Sequence, residues 1–259
     1  MREVSEQIKK NREYMHCPSF LDVMANSDQR RGLPHPAHGK KPTGRIIQLP
    51  PFEAAVVNPN FVNLLDARRS VRAYDKSKAM SQEQLAFMLY SANGVQSYRD
   101  DAAVHTLRTV PSGGARHPFE VYMVVRDVAG LQQGLYHYLP MEHMGEKRVA
   151  IEYLNDFTSF DDMLVKMCVG QDWVMDAHVT FFISCVPYRG EWRYMELSHR
   201  VMLTDLGFIG QNLMLSAVGG GLGSCCMAGY SQELCDKAFG LDGFDEYMVM
   251  AVAAGAPLV

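Results

Sequence analysis

The chain has 259 residues, 47% of them apolar and 21% charged, with a formal net charge of -4 at pH 7. These are ordinary values for a globular protein that can bury a substantial core, within the range of a single large domain. The acidic balance argues against general affinity for nucleic acid; no uninterrupted apolar run approaches a bilayer span, and the opening Met1-Arg2-Glu3-Val4-Ser5-Glu6 is no charged-then-apolar leader, so the expectation is a cytoplasmic protein with no membrane partner.

Val4, Ile8 and Met15 stand at near-helical spacing among charged residues and predict an amphipathic arm. Residues 29–51 are rich in Gly, Pro, His and Lys, the composition of a meandering connector. His35 and His38 flank Pro36 there without further ligands, so no metal site is expected. The organisation predicted is an N-terminal helical arm and connector over 1–45, then one domain over 46–259. Asn58-Pro59 reads as a cap and first turn, followed by the apolar positions Phe61, Val62, Leu64 and Leu65 of a helix that delivers Arg68 and Arg69. Ser81 and Gln84 form a capping-box pattern opening a second helix, which stops at Asn93-Gly94. The 17 residues that follow, through Val110, are polar and turn-rich, long enough to expect a functional loop.

Residues 119–125 form a β-rich apolar run, and 134–138 with 147–153 read as two strands across a turn near Gly145. A helix near 160–168 precedes 178–186, whose apolar residues leave no polar face and predict a central strand. Trp192, Met195, His199, Met202, Leu206, Ile209, Leu213, Ser216 and Gly220 then recur at steps of three and four. That spacing predicts one helix of about 40 Å with a continuous seam. Such a helix either crosses the centre of a large domain or pairs with a copy of itself. After Gly219-Gly220-Gly221 come a strand at 224–228, a helix capped by Ser231 and ending at Gly240, and a last strand at 246–252.

Of the six cysteines, Cys17, Cys168, Cys185, Cys225, Cys226 and Cys235, none stands in C-x-x-C zinc spacing, and their scatter is not that of a disulfide framework. Cys225-Cys226 reads as two small buried residues on an apolar strand rather than a redox pair.

Arg68-Arg69-Ser70-Val71-Arg72-Ala73-Tyr74 puts three guanidinium forks and a hydroxyl within five residues, a set suited to phosphate and carbonyl oxygens. With Pro111-Ser112-Gly113-Gly114-Ala115-Arg116-His117-Pro118, Gly134-Leu135-Tyr136-His137-Tyr138, and Gln211-Asn212-Leu213 running into Gly221-Leu222-Gly223, it resembles in order the motifs of the nitroreductase family. Over about residues 45 to 259 the set is most similar to the branch of the SagB-type dehydrogenases, which oxidise azolines in peptide products. The resemblance implies an α+β fold, a mixed, mostly antiparallel sheet flanked by helices, with a long central helix pairing two subunits and FMN at their boundary. It implies cofactor contacts from Arg68, Arg69, Ser70 and Arg72, from Pro111, Ser112, Gly113, Gly114 and Arg116, and from the backbone of Ala228 and Gly229 beside the flavin N5. The missing side chains of Gly113 and Gly114 are expected to allow close backbone approach to the cofactor.

The implied activity is hydride transfer from NAD(P)H through the flavin to a small nitro or quinone acceptor, with azoline dehydrogenation and non-catalytic flavin storage as alternatives. The adjacent Lys-Tyr pair of the SagB-type pattern falls on Arg193-Tyr194, and an arginine stays protonated near neutrality. The end of the chain, Ala256-Pro257-Leu258-Val259, carries no cation, so the phosphate would rely on the arginines already named. No GxGxxG or P-loop pattern marks a separate dinucleotide domain.

Overall fold

The structure, a computed structural model, describes residues 5–14, 16, 19–99, 105–156 and 161–258, with Asp161 described by its backbone. Val4, Met15, Cys17, Phe160 and Val259 lie outside the described residues.

Two short helices come first, α1 (Glu6–Tyr14) and α2 (Phe20–Ala25), neither with a buried residue; Ile8, the one described residue of the stripe expected on the arm, is exposed. Then follow β1 (Arg45–Gln48), α3 (Phe61–Ala67), α4 (Gln82–Asn93), β2 (Val95–Arg99), β3 (His105–Arg108), β4 (Phe119–Val125), β5 (Gly134–Tyr138), β6 (Ala150–Asn155), α5 (Asp161–Met167), β7 (Val179–Cys185), α6 (Tyr188–Tyr194), α7 (Ser198–Gly219), β8 (Gly223–Met227), α8 (Gln232–Phe239) and β9 (Tyr247–Gly255).

Seven strands form one sheet in the order β1-β6-β5-β4-β7-β9-β8, and every pairing within it is antiparallel. Parallel pairing enters only as single bridges, one of them Ser70 with Ser224 on the edge strand β8. β4 and β7 are buried along their whole length, as continuous apolar runs require. Side chains alternate across a strand, so Val121, Met123 and Val125 of β4 face the cluster that includes Leu85, Met88, Ile209 and Leu213. Tyr122 and Val124 face the opposite cluster, with Leu164, Met167, Cys235 and Phe239.

The Ser81–Gln84 capping box opens α4 as its sequence predicts, and Gly240 ends α8 with φ 67°. Elsewhere the structure corrects the reading. α3 starts two residues later than Asn58-Pro59 predicts: the Asn60 side chain accepts the Asn63 amide and is the cap. The expected loop before Val110 is an antiparallel ribbon of β2 and β3. β1, beginning at Arg45, extends the sheet beside β6.

The predicted single helix from Trp192 is two. Met195 has φ 48° and ends α6, a short 3₁₀ turn follows, and α7 runs about 33 Å. Most of the seam on α7 lies in its own domain: Met202, Ile209 and Leu213 are buried in the cluster with α4 and β9. Gly210 makes this possible, since a Cβ there would stand 3.1 Å from Met250 Cε. The apolar positions left outward are Leu203, 58% exposed, and Phe208, 40% exposed. By length and composition the 188–219 stretch is apolar enough to cross a membrane, although its apolar residues are not consecutive; its inward face packs on α4 and β8 as a core helix.

Cys168, Cys185, Cys225 and Cys235 are free and buried, and burial raises their thiol pKa values, which agrees with small apolar residues rather than reactive thiols.

Candidate functional site

The arginine motif leaves the end of α3 and lies along β8. The Val71 amide donates to the Ser224 carbonyl at 2.9 Å, and the would-be Cβ of Gly223 lies only 2.8 Å from the Val71 side chain, so only glycine admits this approach. Tyr74 locks the far end, its hydroxyl donating to the carbonyls of Val71 (2.8 Å) and Ala253 (3.3 Å). Anchored so, Arg69, Ser70 and Arg72 are exposed and Arg68 is half-buried. Arg69 Nη1 donates to the carbonyls of Asp66 (2.9 Å) and Arg68 (2.8 Å), and the Arg72 guanidinium lies 5.9 Å from the centre of the Trp173 ring. Among the described residues none of these three arginines forms an ion pair.

The other end of β8 runs into Ala228 and Gly229, both exposed. The Gly229 carbonyl accepts from Gln171 Nε2 at 3.0 Å. One edge strand therefore carries the arginine motif beside its start and the Ala228-Gly229 backbone at its end, with Gln171 and Trp173 against them. Neither Gln171 nor Trp173 could be found from local pattern, because 58 residues separate Gln171 from Gly229 and their contact depends on the fold.

The second motif is built on α6 and α7. Pro111 is exposed, and Ser112, Gly113 and Gly114 are half-buried. The Ser112 hydroxyl accepts the His117 amide at 2.9 Å and closes the turn. Asp205 of α7 accepts the Gly113 amide, and burial raises its carboxyl pKa against the lowering by Ser112 and Gly113. The glycines also admit a close approach within the chain. A Cβ on Gly113 would overlap Val201, and one on Gly114, where φ is 59°, would lie 2.6 Å from the Tyr194 hydroxyl and 2.7 Å from Arg193 Cδ. They let the turn sit against α6 and α7.

Arg116 turns inward. It is 1% exposed, its guanidinium stands 4.8 Å from the Trp192 ring centre, and its Nε donates to the Arg189 carbonyl at 3.4 Å. Burial, with Arg193 next to it, lowers its pKa to about 10. Arg193 is half-buried and Tyr194 buried, with the Arg193 guanidinium 5.6 Å from the Tyr194 ring centre.

Behind the second motif lies a buried charge network. His137 bonds Glu120 at 3.3 Å and Glu152 at 2.9 Å, and Arg189 bonds Glu120 at 2.5 Å. Burial opposes the charge on His137, but its two carboxylate partners prevail and raise its pKa; Glu120 and Glu152 are lowered in turn despite their burial. Glu152 also accepts the amides of Thr43 and Gly44, both at 2.6 Å, and Lys40 bonds Glu246 at 2.5 Å, so the connector is strapped to the sheet by carboxylates. His38 is buried rather than solvated, and burial, followed by the nearby Arg116, lowers its pKa to about 4. Among the described residues no group of three His, Cys, Asp or Glu is arranged to hold a metal.

A phosphate-bearing cofactor fits the first set: exposed guanidinium groups with no acidic partner among the described residues need an anion from outside, and an exposed glycine backbone on the same strand leaves a flat ring free to approach. Residues 65–256 match the model of the nitroreductase family. A protein of Methanocaldococcus jannaschii assigned to the nitroreductases is 30% identical over 189 residues, 73% of this chain and 86% of its own. The trifolitoxin-processing protein TfxB of Rhizobium leguminosarum bv. trifolii is 33% identical over 150 residues, 57% of this chain but 39% of that protein. In fold, the chain is similar to the crystal structure of a protein of Anabaena variabilis assigned to the nitroreductases, with TM-score 0.69 and 19% identity over 95% of this chain and 45% of that one. It is also similar to a structure of an Exiguobacterium sibiricum protein, likewise assigned, in complex with FMN, with TM-score 0.54 and 14% identity over 78% of this chain and 90% of that one.

Proposed function

The chain belongs to the nitroreductase family and is an oxidoreductase, and from that premise we propose that it works with FMN as a cytoplasmic homodimer, carrying hydride from NAD(P)H to a small nitro or quinone acceptor. The observation that carries this reading is the convergence on β8 of three guanidinium groups without acidic partners among the described residues and the exposed Ala228-Gly229 backbone. Arg68, Arg69 and Arg72 neutralise the phosphate, Ser70 supplies a neutral donor, and Ala228 and Gly229 offer backbone groups to the ring. The flavin, when bound, supplies the hydride chemistry. The second motif rests on α6 and the first turns of α7 rather than on β8, so in this reading the Pro111 to Gly114 turn is given to the cofactor of the other subunit, and Arg116 supports that turn from beneath.

Two observations favour a dimer: the outward Leu203 and Phe208 on α7, and the exposed Phe61, Val62 and Leu65 on α3, an apolar surface that one chain leaves uncovered. The relation to TfxB favours a second reading, azoline dehydrogenation on a modified peptide. Against it stands Arg193, which cannot accept a proton near neutrality, beside Tyr194, which is buried under the glycine turn.

The absorption spectrum of the purified protein and the identity of its released cofactor test the reading. FMN is expected, bleaching when NAD(P)H is added. A colourless protein or released FAD would overturn it, and FMN that does not bleach would leave a flavin-storage protein.

A further inference from the structure

Two cavities flank the first turns of α7, and a residue of the N-terminal arm borders each. One, of about 200 Å³, is lined almost wholly by carbon and bordered by Tyr14, His199, Met202 and Leu203. The other, of about 190 Å³, is lined by Phe20, Leu197, Arg200, Val201 and Thr204. This second cavity holds a cation, Arg200. Arg200 Nη1 is shielded from solvent and has no hydrogen-bond partner among the described residues. Behind the Phe20 wall lies Tyr194, its ring 5.6 Å from the Phe20 ring and 5.6 Å from the guanidinium of Arg193, which sits under the Gly114 turn.

Two carboxylates on this side of the molecule are already engaged. Glu191 faces His199 at 3.1 Å, and Asp205 holds the Gly113 amide. The Thr204 hydroxyl donates to the Arg200 carbonyl at 3.2 Å, which leaves its oxygen free as an acceptor and not as a donor. A buried guanidinium donor without an acceptor is costly, so such a group is kept where an anion arrives from outside. The cavity also backs onto the proposed flavin site, because Val201 is the side chain against which Gly113 packs.

We propose that this cavity is the acceptor subsite of the flavin centre and that Arg200 receives the carboxylate of a one-ring aromatic acceptor, while Phe20 of the arm forms the apolar wall. The proposal rests on the FMN reading above and names its substrate class. Guanidinium forks match a carboxylate with two parallel bonds. At about 190 Å³ the space is below the roughly 300 to 1,000 Å³ of sites for larger ligands and suits an occupant of about one ring.

The test compares 4-nitrobenzoate with nitrobenzene as acceptors for the flavin-loaded protein, and measures benzoate binding by calorimetry. A charge-assisted pair should give 4-nitrobenzoate a KM lower by about tenfold or more. In Arg200→Gln that ratio should fall to near one and benzoate binding should vanish, whereas Arg200→Lys should restore part of both. Thr204→Phe, at an exposed wall position, should block benzoate without changing the charge, and it answers the question if Arg200→Gln fails to fold. Equal KM values in the parent protein, or no benzoate binding, would overturn the proposal. So would an Arg200→Gln protein that becomes monomeric by light scattering, because the guanidinium would then serve a subunit contact. A protein that binds benzoate through Arg200 but carries no flavin would support the carboxylate site and overturn the FMN reading, so the two failures are distinguishable.

Discussion

Both carboxylate oxygens of Asp205 accept the backbone amide of Gly113, at 3.2 and 3.0 Å. A side chain on the second turn of α7 thereby fixes a turn almost a hundred residues earlier, and burial raises its pKa in doing so. Asp205→Ala leaves that amide without its acceptor and is expected to cost about 1 to 3 kcal/mol of stability in urea denaturation. It should also weaken cofactor retention, since the turn it holds contains Ser112 and Gly114.

The buried His137 network makes stability depend on pH from both sides. His137 has a raised pKa, so its contribution is full below its ordinary value near 6.5 and is lost as pH rises through the folded value. Glu120 and Glu152 are lowered, so theirs is full above about 4.5 and is lost as pH falls. The melting temperature should therefore be highest between about pH 5 and 6.5 and decline above neutrality. His137→Phe should flatten that decline and, by leaving two buried carboxylates short of a partner, cost about 3 to 5 kcal/mol.

Arg72→Ala removes a guanidinium that meets no carboxylate among the described residues. The expected loss is about 1.5 to 3 kcal/mol of FMN affinity, read by flavin fluorescence titration. Unchanged affinity would place the phosphate elsewhere.

The dimer is tested on the outward face of α7. Leu203→Glu with Phe208→Glu puts charge on exposed apolar positions and should give a folded monomer by light scattering, with most of its flavin lost. Ile209→Glu should instead prevent folding, because Ile209 is 2% exposed and lies in the domain's own core. A flavin-loaded dimer in the double variant would remove this face from the interface.

The acceptor chemistry turns on Arg193. Reduction of a quinone or nitro group takes its protons from solvent, whereas azoline oxidation needs a base. NAD(P)H-dependent quinone reduction with little thiazoline oxidation is expected of the parent, and Arg193→Lys should raise thiazoline oxidation by up to about 10²- to 10⁴-fold. Vigorous thiazoline oxidation by the unaltered protein would show that arginine at this position does not prevent it.

Where one local rule governs, the sequence was readable. β4 and β7 follow from unbroken apolar runs, and α4 from its capping box. β1 escaped because Arg45-Ile46-Ile47-Gln48 offers four residues amid breakers and is a strand only through β6. The break at Met195 carries no marker, since neither glycine nor proline stands there, and the seam runs through it without a change of spacing. The arginine cluster was visible as chemistry, while its companions Gln171 and Trp173 reach it by long-range contacts, as Asp205 reaches the Gly113 turn. Gly113 and Gly114 stood out by their missing side chains, whereas the close approach of Val201, Arg193 and Tyr194 to them appears only in the fold.

β8 is the last strand of its sheet, and on its outer side the Ser70 and Val71 backbone takes up pairing at Ser224. An uncovered strand edge is a template for the edge of another molecule. The segment assigned to the cofactor phosphate is thus also a guard against self-association, held at one end by Tyr74 and with its exposed arginines mutually repelling until an anion arrives. Protein stripped of cofactor should loosen there first and precipitate more readily than loaded protein, and phosphate in the buffer should slow that loss.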